Sequence, residues 1–566
     1  MCPCVVYCDS SSVEKVTFLY TLTILTSPLS VLKSRHSFFV SVLAVYITIN
    51  RVCKCYIYLP GPTPLPVLGS LHLLGRHESP FQAFTELAKT YGDVFGLQLG
   101  GSRCLVVSSL ERIREVLNQN GKFFGGRPDF LRFHQLFAGD RNNSLALCDW
   151  SNLQLRRRNL ARRHCGPKAH TDNFARIGHV AAFEAVELVD ALHTRARAAA
   201  GAIDVKPLLM RAAMNMFAGY MCHARFDPDH DADFVRIVDH FDEIFWEINQ
   251  GYAVDFLPWL APFYSKHMAK LSAWASDIRA FILSRIVEQR EAELDPDAPE
   301  RDFLDGLLRV LRDDPTVDRN TIIFMLEDFL GGHSSVGNLV MLALAAVARD
   351  PAVGRRVRAE IDAATRGRRP VTLADRPALP YTEATILECL RYASSPIVPH
   401  VATEDAVVAG LPVEKGTVVF INNYELNKSP AYWSEPDRFD PARFLEKTRT
   451  RARRNSQCDS GMESDGERAE PRPERRPSRA ERRPSAADER EAYAVRRNIP
   501  HFLPFSIGKR TCIGQTLVTT MSFVMFANVV AEFEVGAEDA TSLRQRPACA
   551  ALPRETFRLH LLPRKR

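Results

Sequence analysis

One cysteine lies in a setting that suits a metal thiolate. Cys512 stands between Gly508 and Gly514, with Arg510 two residues before it and Phe505 seven before. A cysteine thiolate is an axial ligand of haem iron, and its electron density favours cleavage of a bound O–O bond. Glycines let the backbone approach a flat macrocycle, and a guanidinium group matches a propionate carboxylate. The pattern predicts a haem-thiolate site in which the phenylalanine shields the sulfur; a buried structural cysteine in a glycine turn is the alternative.

The same stretch resembles the Phe-x-x-Gly-x-Arg-x-Cys-x-Gly signature of the cytochrome P450 family, and all five fixed positions are filled. The resemblance runs from about residue 59 to the C-terminus and is interrupted by one insertion. It implies a mainly α fold with a smaller β portion and haem b bound through Cys512. It also implies oxygen insertion into a lipophilic substrate, with electrons from NADPH delivered by a membrane reductase.

A long central helix is predicted from about Arg319 to Arg349, where an Asp-Pro pair follows. Its middle contains Gly331, Gly332 and Gly337. Each glycine costs ~1 kcal/mol relative to alanine inside a helix, so three of them need a reason. A flat ligand against this face, or a local opening for bound oxygen, supplies one. Close packing of a neighbouring helix is the alternative.

The resemblance also assigns roles to the residues after these glycines. Most of the family has an acid and then a threonine here, which deliver protons during oxygen activation. This chain has Ser334 at the acid position and Ser335 at the threonine position. Ser335 alone is expected to order the water molecule that carries the protons. Because proton delivery by positioned groups is worth ~10²–10⁴ in rate, turnover should be slow or limited to oxidation steps that need less proton delivery. His333 lies ~100° around an ideal helix from Ser334 and is expected to face away.

Further haem partners follow from the resemblance. Trp150 precedes a basic helix, and the family places an arginine four residues later, where both reach a propionate. Gln154 occupies that position here, and Arg157, on nearly the same helical face, is predicted to substitute. A basic helix that docks an acidic redox partner is a second interpretation compatible with the first. His400 holds the place of a basic propionate partner, with an ordinary strand histidine as the alternative.

Two charges on another predicted helix, Glu388 and Arg391, share one face at i and i+3. In the family such a pair is buried and locked by a second arginine, for which Arg443 is the candidate. Breaking a buried network of this kind costs ~3–5 kcal/mol, because a charge is left unpaired. The predicted role is folding and haem retention.

Charge and cysteine content restrict the function classes. The 566 residues carry a formal net charge of +6, and residues 447–497 alone contain 15 Lys+Arg against 10 Asp+Glu. The rest of the chain is therefore near neutral, which argues against a nucleic-acid-binding surface. Residues 447–497 are rich in charge and proline and are predicted to be a disordered basic insertion. The 13 cysteines form no regular framework, which favours a reducing, cytosol-facing domain.

Residues 1–58 are predicted to be an N-terminal membrane-anchor region, and residues 59–566 the haem-thiolate catalytic domain. The apolar run Ser37–Asn50 is followed by Arg51 and Lys54, which favour a cytosolic position for the next domain. These features predict an endoplasmic reticulum membrane protein. A cleaved signal peptide and a buried soluble helix are the alternatives.

Leu326–Asn338 resembles the central helix of the arthropod ecdysteroid-producing enzymes called Spook and Spookier. That resemblance implies a sterol-derived substrate, of the 7-dehydrocholesterol or ketodiol type, and an early step of moulting-hormone synthesis. Two other classes stay open. One is a reductase-independent haem-thiolate isomerase or dehydratase of an oxygenated lipid, and the other is a non-catalytic haem-bound lipid sensor. NADPH dependence and product formation separate these classes from a monooxygenase.

Overall fold

The computed structural model describes residues 59–199, 201–295, 297–315, 317–448, 492–539, 541 and 543–565. In these residues helices predominate and strands are short, so the predicted mainly α fold with a smaller β portion is confirmed. The predicted membrane-anchor region lies outside the described residues.

The longer helices carry most of the domain. They are α1 Pro80–Tyr91, α2 Asn152–Cys165, α3 Asp172–Ala198, α4 Lys206–Cys222, α5 Ala232–Ile248, α6 Ser265–Ile282, α7 Phe303–Asp313, α8 Arg319–Leu330, α9 Gly332–Arg349, α10 Pro351–Thr365, α11 Pro380–Ala393 and α12 Gln515–Glu532. Shorter α-helices are Leu71–Leu74, Leu110–Arg114, Leu131–Leu136, Glu288–Glu293 and Asn423–Lys428.

Ten strands form one four-stranded sheet and three two-stranded ladders within the described residues. They are β1 Val94–Leu99, β2 Ser102–Val107, β3 His400–Val401, β4 Ala406–Val408, β5 Leu411–Val413, β6 Val418–Ile421, β7 Leu445–Thr448, β8 Ala492–Val495, β9 Phe533–Gly536 and β10 His560–Pro563. The larger sheet has the order β1-β2-β6-β3, with β2 and β6 parallel and the other pairs antiparallel. Strands β1 and β2 form a hairpin around Gly100 and Gly101, and β3 places His400 at the sheet edge.

The ends of the predicted disordered insertion are ordered. Strand β7 pairs with β8 in an antiparallel register that runs from Leu445 opposite Val495 to Thr448 opposite Ala492. The predicted segment 447–497 is therefore too long at both ends, because backbone pairing stabilises residues whose composition alone predicts disorder. The interior of the insertion lies outside the described residues.

The core is organised around α9, which is buried on nearly every side. It packs between α4 and α12, and α12 is apolar around its whole circumference, as expected for a helix without a solvent-facing stripe. Among the described residues, one helical stretch, Arg319–Arg349, is long and apolar enough to cross a membrane, and 83% of its most apolar window is buried inside the protein.

The predicted central helix is interrupted at Gly331, which lies between α8 and α9. A Cβ atom on Gly332 would lie 2.9 Å from Cε1 of Phe217, and one on Gly337 would lie 2.5 Å from the sulfur of Met210. Both neighbours belong to α4. Close helix packing, the alternative stated above, therefore accounts for two of the three glycines.

The predicted charge network on α11 is confirmed. Arg391 donates to both carboxylate oxygens of Glu388, at 2.7 and 2.8 Å, and both residues are fully buried. Arg443 donates from Nε to the same carboxylate at 3.1 Å. The remaining guanidinium donors bond to backbone carbonyls, among them that of Asn427. The network joins α11 to the segment before β7.

Candidate active site

The loop before α12 fixes the position of Cys512 through its backbone. The amide of Cys512 donates to the carbonyl of Phe505 at 2.9 Å. Gly508 has φ = +76°, and a Cβ atom there would collide with the carbonyl of Leu117, so this turn requires glycine. Phe505 itself is partly buried and packs against the main core.

Among the described cysteines, Cys512 is exposed and all the others are buried. Burial raises the pKa of this thiol, whereas the amides of Gly514 and Gln515 and the positive charge of Arg158 act to lower it. These three groups favour the thiolate, which is the form that binds a metal.

Three guanidinium groups converge near this loop and are buried: Arg127, Arg158 and Arg510. Their donors bond mainly to backbone carbonyls, as in the contact of Arg158 with the carbonyl of Thr511 and of Arg510 with that of Gly125 at 2.6 Å. Burial, reinforced by the neighbouring arginines, lowers the pKa of Arg127 and of Arg158. The described residues thus place several positive charges together without an ion-pairing carboxylate.

Some donors of this cluster have no hydrogen-bond partner among the described residues. They include Nη1 of Arg510 and Nε of Arg158, both buried. Buried charges are normally paired, because an unpaired charge loses its hydration without compensation. A dianionic group matches this cluster, and the two propionates of haem b are such a group. The residues present therefore fit haem.

The structure brings His400 to the same cluster. Its Nδ1 lies 2.7 Å from the carbonyl of Phe124, and its buried Nε2 has no partner among the described residues. Burial, reinforced by the positive charge of Arg127, holds the pKa of His400 well below its usual range. A carboxylate at Nε2 would reverse this effect by favouring the charged imidazolium.

Trp150 also lies beside the cluster. Its ring is 5.7 Å from the guanidinium of Arg510 and 5.2 Å from the ammonium of Lys509. A Cβ atom on Gly125 would lie 2.6 Å from Cβ of Trp150, so the tryptophan sits directly on the turn to which Arg510 donates. The positions of Trp150 and His400 are consistent with the roles that the family resemblance implies for these two residues.

The predicted substitute for the family arginine is wrong. Arg157 donates to the carbonyl of Asn142 at 3.1 Å, whereas the next residue, Arg158, turns toward the Cys512 loop. Helix α2 begins only at Asn152, after the cap Ser151, so helical spacing counted from Trp150 does not apply. Gln154 is buried and donates to the carbonyl of Leu145.

The two serines after the glycines have different surroundings. Ser334 is fully buried, and Ser335 is partly exposed. Nε2 of His333 lies 3.5 Å from Oγ of Ser334, so the prediction that this histidine faces away from Ser334 is wrong. Nδ1 of His333 lies 2.7 Å from the carbonyl oxygen of Leu330, three residues earlier, and this contact orients the imidazole toward the preceding turn. Burial lowers the pKa of His333 to about 4, so the ring is neutral at pH 7.

Sequence reasoning missed two neighbouring carboxyl groups on α8. Burial raises the pKa of Glu327 to about 8, although Arg279 lies 3.3 Å away, and raises that of Asp328 to about 6. Asp328 accepts hydrogen bonds from the hydroxyl of Ser144 and the amide of Leu145. Two adjacent acids in the apolar second half of α8, shortly before the glycines, were the available signal.

The sequence profile of the Cytochrome P450 family matches residues 59–464 and 473–560, which is most of the chain. The chain therefore belongs to the cytochrome P450 family. It is a monooxygenase whose cofactor is haem b, with electrons supplied from NADPH through a reductase.

Individual relatives refine this placement. Cytochrome P450 307a1 of Drosophila melanogaster is 51% identical over 514 residues, which cover 90% of each chain. Cytochrome P450 1B1 of Rattus norvegicus is 27% identical over 525 residues, 89% of this chain and 86% of the relative. Cytochrome P450 1A1 of Platichthys flesus is 31% identical over 405 residues, 68% of this chain and 76% of the relative. The Drosophila relative is an enzyme of the Spook and Spookier type, so that resemblance is confirmed.

Proposed function

We propose that this monooxygenase oxidises a sterol-derived substrate in an early step of ecdysteroid synthesis. The observation that carries the proposal is the 51% identity with the Drosophila relative over 90% of both chains. The Spook-like segment Leu326–Asn338 lies at the centre of the domain and includes the serine pair. An apolar substrate also agrees with the composition of the neighbouring elements.

The elements around α8 offer an apolar, aromatic surface. Phe324 on α8 belongs to one cluster with Phe133 and Phe137, from the segment around Leu131–Leu136, and with Leu271 on α6. Rigid fused rings present a large apolar area, and burying that area is worth roughly 25 cal/mol per Å². This cluster is itself packed in the core, and the elements that carry it would border a sterol-like substrate with the same apolar and aromatic character.

In this proposal Cys512 binds the iron of the haem. Arg510, Arg158 and His400 bind the propionates, with Trp150 packed beside Arg510. Phe505 keeps water from the sulfur. When bound, the haem supplies the activation of molecular oxygen and its insertion into a carbon–hydrogen bond. The protein supplies the anionic sulfur ligand, the positive charges for the propionates and an apolar surface for the substrate.

We assign proton delivery to Ser335. Its partial exposure leaves its hydroxyl available to order a water molecule. Ser334, at the position of the family acid, has no ionisable group, and its neighbour His333 is neutral at pH 7 because burial lowers its pKa to about 4. Neither Ser334 nor His333 replaces the missing acid, so Ser335 is the residue of this helix to which we assign proton delivery.

We place the protein at the endoplasmic reticulum membrane with its catalytic domain in the cytosol. Large apolar side chains are exposed at Trp259 and Phe263, which are 58% and 82% accessible. Val67, shortly after the predicted anchor, is 59% accessible. The two regions meet, because Gly100 donates to the carbonyl of Leu68 and the adjacent Gly101 to that of Phe256. An exposed apolar patch beside the anchor supports contact with lipid.

The basic helix α2 supports docking of the reductase. Arg162 and Arg163 on this helix are exposed, and its buried Arg158 touches the Cys512 loop. A positive surface at this point would attract an acidic redox partner and speed its association.

The substrate assignment is tested by reconstituting the full chain with a reductase, NADPH, labelled ¹⁸O₂ and sterol-derived candidates, followed by mass spectrometry. A product with one labelled oxygen is expected from a 7-dehydrocholesterol or ketodiol-type substrate. Turnover of an oxygenated lipid without NADPH would instead support the isomerase alternative. Spectral binding of sterols without any product would support the lipid sensor.

A further inference from the structure

A buried hydrogen-bond network surrounds Asn338, which lies one turn after Ser335 on α9. The side-chain amide of Asn338 donates to the carbonyl of Ser334 at 2.8 Å and to Oδ1 of Asp242 at 3.3 Å. Its side-chain oxygen accepts the amide of Leu552 at 3.0 Å. Asn338 is fully buried, so these protein groups satisfy its polar atoms without water.

The network continues to a buried ammonium group. Nζ of Lys206, at the start of α4, donates to Oδ2 of Asp242 at 2.5 Å. It also donates to the carbonyls of Leu552 and Pro553, at 2.8 and 3.0 Å. All three ammonium hydrogens therefore have acceptors. A fully satisfied network in a buried place is rigid, and here it joins α4, α5, α9 and the chain after Cys549.

The network acts on the part of α9 that is weakly held by its own helix. Ser335 lies in the first turn of α9, directly after the interruption at Gly331, and no side chain caps this turn. The backbone stays helical through Gly331, whose amide donates to Glu327, but the amide of Ser334 donates to the carbonyl three residues earlier, so the regular helical bonding is altered at this turn. The carbonyl that accepts from Asn338 belongs to the peptide bond between Ser334 and Ser335, so this bond fixes the peptide that carries the Ser335 side chain.

Helix α5 also contacts the residues just before the serine pair. The ring of Phe241, next to Asp242, lies edge-on to the ring of His333 at 5.4 Å. A Cβ atom on Gly331 would lie 3.4 Å from the same phenylalanine. Adjacent residues of α5 thus contact α9 before and after Ser335.

We propose that Asn338, supported by Asp242 and Lys206, is a positioning residue that fixes the Ser335 hydroxyl for proton delivery. The proposal rests on the assigned role of Ser335. Asn338 acts through the Ser334–Ser335 peptide, since its own polar atoms are used by the protein.

The chain offers a matched control on α12. The side-chain amide of Asn528 donates to the carbonyl of Val524, four residues earlier, and to that of Val371, both at 2.9 Å. Its side-chain oxygen accepts the amide of Val371 at 2.9 Å. Asn528 is buried too, so Asn528→Leu removes the same kinds of bond as Asn338→Leu, away from the serine pair.

The test compares Asn338→Leu, Asn528→Leu, Ser335→Ala and the double variant Asn338→Leu/Ser335→Ala in the haem-loaded full chain. Thermal unfolding measures the structural cost, which should be similar for the two leucine variants. The infrared C–O stretching band of the reduced carbon-monoxide complex reports the polar surroundings of the iron. Peroxide released per NADPH consumed reports failed proton delivery.

We expect Asn338→Leu to shift or broaden the C–O band and to raise peroxide per NADPH several-fold, toward the value of Ser335→Ala. Asn528→Leu should leave both unchanged, and the double variant should match Ser335→Ala. Equal band and peroxide ratio in the two leucine variants would overturn the positioning role. If Ser335→Ala itself changes neither quantity, the assigned role of Ser335 fails first. Should Asn338→Leu lose haem, Asp242→Asn gives a milder break of the network, with the same direction of effect expected.

Discussion

The two sides of the candidate site differ in how their polar groups are satisfied. Beside the Cys512 loop, buried donors of Arg158 and Arg510 have no partner among the described residues. Around the central helix, the amide of Asn338 and the ammonium of Lys206 on α4 have protein acceptors for their hydrogens. Unpaired buried donors are characteristic of a surface that binds an anion, whereas saturated ones build a rigid support. We expect the side with the Cys512 loop to bind the cofactor and the side with the central helix to fix one hydroxyl group, that of Ser335.

The strongest test of this difference removes the thiolate. We expect Cys512→Ser to abolish the red-shifted Soret band of the reduced carbon-monoxide complex and all monooxygenase activity, because a serine hydroxyl does not replace a thiolate ligand. Absorption spectroscopy of the purified protein measures the band. Cys148→Ser, at a buried cysteine near Arg510, is the control and should keep this band. A variant at Cys512 with an unchanged band would refute the assignment.

The next largest effect is expected from the hydroxyl of Ser335, on the central-helix side of the candidate site. Ser335→Ala should keep the haem spectrum, lower product per NADPH by up to ~10²-fold and raise peroxide release, since positioned proton donors contribute ~10²–10⁴ in rate. Ser334→Ala, at the buried neighbour, is the matched control and should change the ratio of peroxide to product little. Product and peroxide are quantified in one reaction. A parental ratio in Ser335→Ala would show that this segment shapes the substrate pocket instead.

Variants at the adjacent residues Arg157 and Arg158 of α2 distinguish an effect on cofactor binding from an effect of lost surface charge. Arg158→Leu should weaken haem affinity by about 10- to 100-fold, because a hydrogen bond to a charged group is worth ~1.5–3 kcal/mol. Arg157→Leu should leave haem affinity near the parent value, since this side chain reaches Asn142 and not the Cys512 loop. Transfer of haem to apomyoglobin measures the loss. Equal transfer rates from the two variants would contradict the assignment of Arg158.

The buried carboxyl of Glu327 predicts a pH dependence of stability. Its pKa is raised from 4.5 to about 8 by burial, so the folded state keeps a proton that the unfolded chain releases. Its contribution to the free energy of unfolding is fully present below pH 4.5 and is lost as the pH rises toward 8. We expect Glu327→Gln to flatten the fall in Tm between pH 5 and 8, on the order of a few degrees. Tm is measured at both pH values by circular dichroism. The same fall in parent and variant would assign the pH dependence to other groups.

The smallest effect is expected from the insertion. Replacing residues 449–491 by a short Gly/Ser linker should leave the haem spectrum and Tm unchanged, because the entropy of loop closure grows slowly with length. The paired strands β7 and β8 stay in place in this variant. Loss of haem on replacement would mean that the insertion contributes to the domain.

Local spacing was enough to predict part of this molecule. Phe505, Arg510 and Cys512 lie within one short loop, and Glu388 and Arg391 lie on one helical turn. In both cases the relevant contacts follow from a few neighbouring backbone angles, so the residue types at fixed spacing carry the information.

The rest depends on contacts between distant segments. Arg158 was missed because the position of its side chain depends on where α2 begins, and a single residue there turns it by ~100°. The interruption at Gly331 and the network of Asn338 involve α4, α5 and the chain at Leu552, far apart in sequence. No periodicity in α9 itself indicates which partners will satisfy its polar groups.

The ladder of β7 and β8 has one more consequence. Thr448 and Ala492 are paired across it, so the two ends of the sequence that joins them lie side by side. Any sequence joined between these two residues starts and ends on neighbouring strands, and its length is decoupled from the geometry of the catalytic core. This position is therefore suited to the insertion of an affinity tag or a small reporter domain.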